Sequence, residues 1–173
     1  DILNLDGQKV STNEMGELVM RKSSIGLTKS LWNDDKRYID NYWSVIKDYW
    51  VHGDLASRDA DGHWYLHGRS DDTIKVSGKR IGPSELESVI VKSGKAKEVA
   101  AVGIPDENKG SKIILSIVPA ENNDQKESFF EDLVIKDLGK SFKPDKVIFV
   151  KDLPKTRNMK IMRRVIKSCL ANQ

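Results

Sequence analysis

Residues 67–87 read HGRSDDTIKVSGKRIGPSELE, and the texture of the chain changes inside this stretch. On its N-terminal side, YWVHGDLASRDADGHWYLHGR (49–69) reads as two strands about an Asp59-Ala60-Asp61-Gly62 turn, whose residue types favour chain reversal. On its C-terminal side come a short strand (73–76), a glycine-flanked basic loop (77–82) and then a helix. Ser84 and Glu87 stand at capping-box spacing, and Leu86, Val89 and Ile90 share one helical stripe. Asp71 and Asp72 fall at the switch. Hinges are built from a few such junction residues, which absorb large backbone rotations.

Outward from the switch, the two sides differ. Towards the N-terminus, GELVMRKS (16–23) has the period-2 pattern of a strand. LWNDDKRYIDNYWSV (31–45) places Leu31, Trp32, Tyr38, Ile39, Tyr42 and Trp43 at the spacing of a short amphipathic helix. Three tryptophans lie in 32–50 and the fourth is Trp64, and core packing is expected for most of them. Towards the C-terminus, EVAAVGIP (98–105), SKIILSIVPA (111–120) and KVIFV (146–150) read as strands. Residues 127–140 read as a helix with Phe130, Leu133, Val134 and Leu138 inward, and KIMRRVIKSCL (160–170) as a final amphipathic helix. Loosely alternating strands and helices predict a compact α+β unit over 72–173.

Composition narrows the class. Of the 173 residues, 38% are hydrophobic and 32% charged, the balance of a globular protein slightly rich in charge. No apolar run approaches the roughly 20 residues of a membrane span, and no basic-then-apolar leader is visible, so a cytoplasmic protein is expected. A single cysteine, Cys169, excludes a disulfide framework and is expected to be a half-buried inert thiol. Charge is uneven: residues 1–71 sum to −3 and residues 72–173 to +6. A basic half suits an anionic partner, although lysine-rich surfaces are also common on proteins that bind none.

Several residues carry possible chemistry. Asp54 follows a glycine at the end of an apolar strand; its carboxylate accepts from two neighbouring hydroxyls such as a ribose diol, or it is a plain turn residue. Arg69 has a fork suited to phosphate or sugar oxygens. The loop Ser77-Gly78-Lys79-Arg80-Ile81-Gly82 combines backbone freedom with two cations, but a GxxxxGK[ST] phosphate loop is absent from the chain. PKTRNMKIMRR (154–164) concentrates cations at 155, 157, 160, 163 and 164. Such a run grips a polyanion or supplies one aimed charge. A nucleic-acid-binding or partner-docking module without catalysis is therefore the alternative reading. Against it, the aromatics are not interleaved with the basic run.

Taken together, GDLASRDADGHWYLHGRSDDTIKVSGKRIGPSELE, AVGIPDENKG and PKTRNMKIMRR closely resemble the C-terminal part of acetyl-CoA synthetases, within the adenylate-forming superfamily of acyl-CoA synthetases, luciferases and peptide-synthetase adenylation domains. GLTKSLWNDDKRYIDNYWS is similar to the acetyl and short-chain branch. The resemblance implies an AMP-forming ligase that joins a small carboxylic acid such as acetate or propionate to coenzyme A, using ATP and Mg2+. By the same resemblance Asp54 holds the ribose hydroxyls, Arg69 and Arg80 contact the nucleotide, and Asp71 is the hinge. Ser77 and Gly78 line the coenzyme A path, and Lys160 catalyses adenylate formation. Two departures stand out. The usual Ser-Gly before the catalytic lysine is Asn158-Met159, and the arginine that touches the coenzyme A 3′-phosphate is missing, with Lys136 as a neighbouring substitute. The implied organisation is a β-rich tail of a large domain (1–70), a hinge (71–72) and a complete small lid domain of mixed strands and about three helices (73–173). The metal ligands and acyl pocket are expected upstream, so these residues alone are expected to be inactive.

Overall fold

The computed structural model describes residues 1–121 and 124–171. The chain divides into two compact units, Asp1–Asp71 and Asp72–Gln173.

The first unit is built on four strands, β1 (Ile2–Leu3), β2 (Gly16–Met20), β3 (Trp50–Arg58) and β4 (Trp64–Arg69), in sheet order β1-β2-β3-β4 with every pair antiparallel. Between β2 and β3 lies helix α1 (Asp35–Tyr42), whose N-cap Asp34 accepts the N–H of Arg37 and so satisfies one of the orphan donors of the first turn. Leu3, Val19, Ile46 and Val51 form its small core. β3 and β4 meet across the expected turn, where the Asp59 carboxylate accepts the His63 N–H at 2.8 Å and the Tyr65 hydroxyl at 2.9 Å. The tryptophans do not behave as expected. Trp50 is buried and Trp43 half-buried, but Trp32 is 93% exposed and Trp64 48%. Trp64, Tyr65 and Leu66 all lie exposed on β4, an edge strand of this sheet. Periodicity groups residues onto a face; it does not supply the element that covers that face.

In the second unit, β5 (Ile74–Val76) and β6 (Lys79–Ile81) form a hairpin, followed by helix α2 (Pro83–Lys92). The long strands β7 (Ala96–Asp106) and β8 (Gly110–Pro119) pair antiparallel. After helix α3 (Glu127–Leu138) and a 3-10 turn (Lys140–Phe142), β9 (Lys146–Phe149) joins β8 in parallel, and α4 (Arg163–Ala171) closes the chain. A parallel neighbour needs a crossover, and α3 provides it. Side-chain alternation divides β7 and β8 between two cores. Val99, Ala101, Ile113, Leu115 and Ile117 face Leu86, Ile90, Phe130 and Val134. Ala100, Val102, Ile114 and Val118 face Leu153 and Ile166. Both faces are covered, which is why these strands read as nearly continuous apolar runs. Phe130 is fully buried, which alone contributes about 2–3 kcal/mol relative to exposure.

Three local expectations are corrected. The helix after the basic loop is not capped by Ser84: Gly82 is the N-cap, Pro83 takes the first position, where no N–H is needed, and the Glu85 carboxylate accepts the Gly82 N–H at 3.2 Å. The last helix begins at Arg163 rather than 160, because residues 155–161 form a hairpin of their own. Cys169 is exposed, since Ile166 is the one buried residue of α4.

Candidate functional site

Asp54 and Arg69 are cross-strand partners on β3 and β4, which brings the two side chains together by register alone. The Arg69 Nη1 lies 3.5 Å from Asp54 Oδ1 and donates to the His52 carbonyl at 3.3 Å, while its Nε donates to Asp71 Oδ1 at 3.1 Å. Gly53 makes this possible. Its φ of +83° is one that glycine adopts freely, and a Cβ there would stand 2.9 Å from Arg69 Nη2. The opposite oxygen of Asp54, Oδ2, is 2.8 Å from His52 Nδ1. A cleft of about 260 Å³ opens beside this cluster, lined among others by Glu17, Tyr42, His52, Arg69 and Asp71. Glu17 is buried and accepts a hydrogen bond from the Ser70 hydroxyl. The arrangement offers a fixed carboxylate, a guanidinium fork and an open, polar-lined cleft, which suits a polar, hydroxylated anion. Neither His52 nor Glu17 was singled out by the sequence. His52 lies two residues before Asp54 on one strand, a spacing that puts alternate side chains on the same face.

In the second unit the basic loop is a tight hairpin turn. Ser77 (φ +49°) and Gly78 (φ +80°) are its two central residues, both left-handed as the twist of a two-residue hairpin requires. The Ser77 N–H donates to the Lys109 carbonyl at 2.8 Å, and the Lys79 ammonium donates to the Ser141 hydroxyl at 3.1 Å, so both limbs of the turn are tied to neighbours. Lys79 and Arg80 thus belong to a strand rather than a loop, and Arg80 is exposed. Lys136 lies exposed on α3. Among the described residues, the acidic and histidine side chains that come nearest to a metal site are Asp59, Asp61 and His63 at the β3–β4 turn.

The cationic run 154–164 resolves into residues with different tasks. Lys155 pairs with Ile161 in an antiparallel bridge, the Thr156 N–H donates to the Lys160 carbonyl at 2.9 Å and the Met159 N–H donates to the Thr156 carbonyl at 2.9 Å. The Thr156 hydroxyl accepts the Lys160 N–H at 3.1 Å. This is a three-residue hairpin whose last loop residue takes the left-handed conformation, here Met159 with φ +61°. At the base of the hairpin the Lys155 ammonium sits 2.6 Å from Asp152 and 2.8 Å from a buried oxygen of Glu98, and these bonds hold it above the ordinary lysine range. At the start of α4 Arg163 grips Glu87 through two bonds, 2.9 and 2.6 Å, which raise its pKa further, and Glu87 also accepts the Ala101 N–H. Lys160 lies exposed between these two anchors, with no carboxylate within 4 Å of its ammonium among the described residues.

Residues 85–160 match the family model of the AMP-binding enzyme C-terminal domain. The chain is 36% identical over 181 residues to an acetyl-coenzyme A synthetase of Pasteurella multocida, a match covering 100% of this chain and 28% of that protein. It is 39% identical over 175 residues to the acetyl-coenzyme A synthetase of Methanothrix thermoacetophila, covering 97% of this chain and 27% of that protein. The chain therefore spans little more than a quarter of the curated relatives it matches. Among solved structures, the amide bond synthetase McbA from Marinactinospora thermotolerans superposes with a TM-score of 0.82 at 25% identity, covering 97% of this chain and 34% of that one. The anthranilate CoA ligase AuaEII, solved with anthranoyl-AMP, gives a TM-score of 0.82 at 27% identity, covering 97% of this chain and 32% of that one.

Proposed function

We propose that this chain belongs to the adenylate-forming acyl-CoA synthetase family and works as the C-terminal part of an AMP-forming acetyl or short-chain acyl-CoA synthetase. In this reading residues 1–70 complete a large upstream domain, 71–72 are the hinge and 73–173 are a mobile lid. A small carboxylate, acetate or propionate, attacks the α-phosphate of ATP to give acyl-AMP and pyrophosphate. The thiol of coenzyme A then attacks the acyl carbon, forming the thioester and releasing AMP.

The observation that carries the proposal is the hairpin of residues 155–161, which holds Lys160 exposed, and without an ion-pair partner among the described residues, between two tethered cations. Two anions meet in the first step and charge builds on the phosphoryl oxygens. A single unpaired ammonium brought between the carboxylate and the α-phosphate stabilises that charge, and such transfer depends on positioning and electrostatics more than on covalent help. Asp54, flanked by His52 and Arg69, takes the ribose hydroxyls; Arg69 and Arg80 contact the nucleotide. Asp71 turns the lid between half-reactions, and Ser77, Gly78 and Lys136 contact coenzyme A. Mg2+, which accompanies ATP, would be held by upstream residues. The Asp59, Asp61 and His63 group does not suit it, because the Asp59 carboxylate is already committed to His63 and Tyr65. A cytoplasmic location belongs to the same reading.

The test uses the full-length enzyme. Lys160→Ala is expected to lower acid-dependent ATP–pyrophosphate exchange by about 10²–10³-fold, the scale of losing one transition-state charge contact, while thioester formation from preformed acyl-AMP persists. Equal loss in both half-reactions refutes the assignment. The 173 residues alone are expected to show no exchange.

A further inference from the structure

We propose that His52 is a positioning residue: it fixes the Asp54 carboxylate so that the ribose diol meets a preformed acceptor. The inference rests on the assignment of Asp54 to the ribose given above, and it adds a residue to which neither the motifs nor the comparisons give a role.

The argument starts from the two oxygens of Asp54. Oδ2 is 2.8 Å from His52 Nδ1, and Oδ1 is 3.5 Å from Arg69 Nη1. An ionised carboxylate accepts only, and the imidazole Nδ1 stands at ion-pair distance from that oxygen. Two oxygens offer about four acceptor sites. His52 stands against one oxygen and Arg69 faces the other, which leaves about two sites, enough for a vicinal diol. Among the described residues His52 is the ion-pair partner on the Oδ2 side, and without it the carboxylate is freer to rotate. It could then close on Arg69 in a two-bond pair and use the acceptor sites that the diol needs.

The histidine is itself held. Its ring meets Trp50 edge-on, with centroids 5.7 Å apart. Trp50 stacks on Tyr42 at 5.4 Å and 7°, and Tyr42 packs on Tyr38 at 5.4 Å. A column of four rings, anchored by buried Tyr38 and Trp50, therefore ends at the imidazole and limits its swing. The His52 carbonyl accepts from Arg69 Nη1 at 3.3 Å, so the residue sits between both neighbours of Asp54, by side chain on one and by backbone on the other. The imidazole is 47% exposed, so replacing it leaves no buried cavity.

The test compares wild type, His52→Phe, His52→Asn and Asp54→Ala in the full-length enzyme, by ATP–pyrophosphate exchange with ATP and with 2′,3′-dideoxy-ATP. His52→Phe is expected to raise KM for ATP about tenfold, the scale of losing one close polar contact to a charged group, with kcat within about twofold. Asparagine, which keeps a donor near Nδ1, is expected to restore KM to within about threefold of wild type. For the dideoxy nucleotide the His52 variants and wild type should have equal KM. A rise in KM of the same size for both nucleotides, or an Asn variant as poor as Phe, overturns the positioning role. If Asp54→Ala raises KM for ATP but His52→Phe does not, the inference falls and the ribose assignment stands. If Asp54→Ala has no effect on KM, both fall.

Discussion

Met159 gives the sharpest physical test of the fold, because a non-glycine residue there holds a conformation that most side chains avoid. Its φ is +61°, at the end of the three-residue loop that presents Lys160. A left-handed backbone costs a residue with a Cβ about 1–2 kcal/mol, because the Cβ crowds the following carbonyl. Glycine escapes that cost but loses about 0.5–1 kcal/mol through the greater freedom of its unfolded chain. The Met159 side chain is 69% exposed, so little burial is forfeited when it is cut back. The informative comparison is therefore Met159→Gly against Met159→Ala, which differ in the Cβ alone. At an ordinary position alanine is the more stable by about 0.4–1 kcal/mol. Here the order should invert, with glycine ahead by about 0.5–1 kcal/mol. On the Asp72–Gln173 unit that is about 2–6 °C in melting temperature. All four tryptophans lie before Asp71, so indole fluorescence reports the other unit; far-UV circular dichroism or amide hydrogen exchange across 146–171 is the appropriate readout. An alanine variant as stable as the glycine variant, or more so, refutes the left-handed turn and with it the stated presentation of Lys160.

Two further outcomes follow from ion pairs. Arg163→Met removes both bonds to Glu87, whose carboxylate is 14% exposed, and should destabilise the unit by about 2–3 kcal/mol in a urea titration, with part of the loss recovered in the Arg163→Met, Glu87→Gln double variant. Asp106 is held at about 2, below 3.8, by the Lys112 ammonium and then by the N–H groups of Lys109 and Asn108. Its folded pKa is depressed, so its contribution to stability is complete above about pH 4 and is lost as pH falls towards 2. Carboxyl NMR should place its midpoint near 2, and Asp106→Asn should flatten the acid limb of stability in that window.

The elements legible in the sequence were those whose pattern is local. β7 and β8 were read from apolar runs, α3 from Phe130 and Val134, and the β3–β4 turn from Asp59 to Gly62. What stayed hidden depended on contacts across the chain. The Ser84–Glu87 spacing suggested a cap, but Glu87 lies one turn into α2, where Arg163 and the Ala101 N–H claim it from 76 and 14 residues away. Likewise 77–82 reads as a loop because Ser77, Gly78 and Gly82 punctuate it; three ladder pairs, Ile74 to Ile81 through Val76 to Lys79, make it a hairpin. For the candidate site, Asp54, Arg69 and Lys160 were visible through motifs. His52 was not, because its role is defined by an oxygen 2.8 Å away rather than by its own residue type.

The division among the cations of 154–164 is itself a mechanistic argument. A basic tail for polyanions leaves its charges free, so that each can find a phosphate and release a counterion. Here Lys155 is committed to Asp152 and Glu98, and Arg163 to Glu87, and two of these partners belong to the body of the unit: Glu98 on β7, Glu87 on α2. These two tethers bracket the hairpin, and a tethered hairpin reduces the conformations open to whatever stands on it. Lys160, with no partner among the described residues and its N–H capped by Thr156, gains the most from that restriction, because an ammonium on a four-carbon stem otherwise samples many positions. Neutralising the tethers should therefore act on catalysis through Lys160. In the full-length enzyme Lys155→Met is expected to lower kcat for pyrophosphate exchange without raising KM for ATP, and to have little further effect once Lys160 is alanine. Additive losses in that double variant would show that the anchors serve something other than the lysine between them.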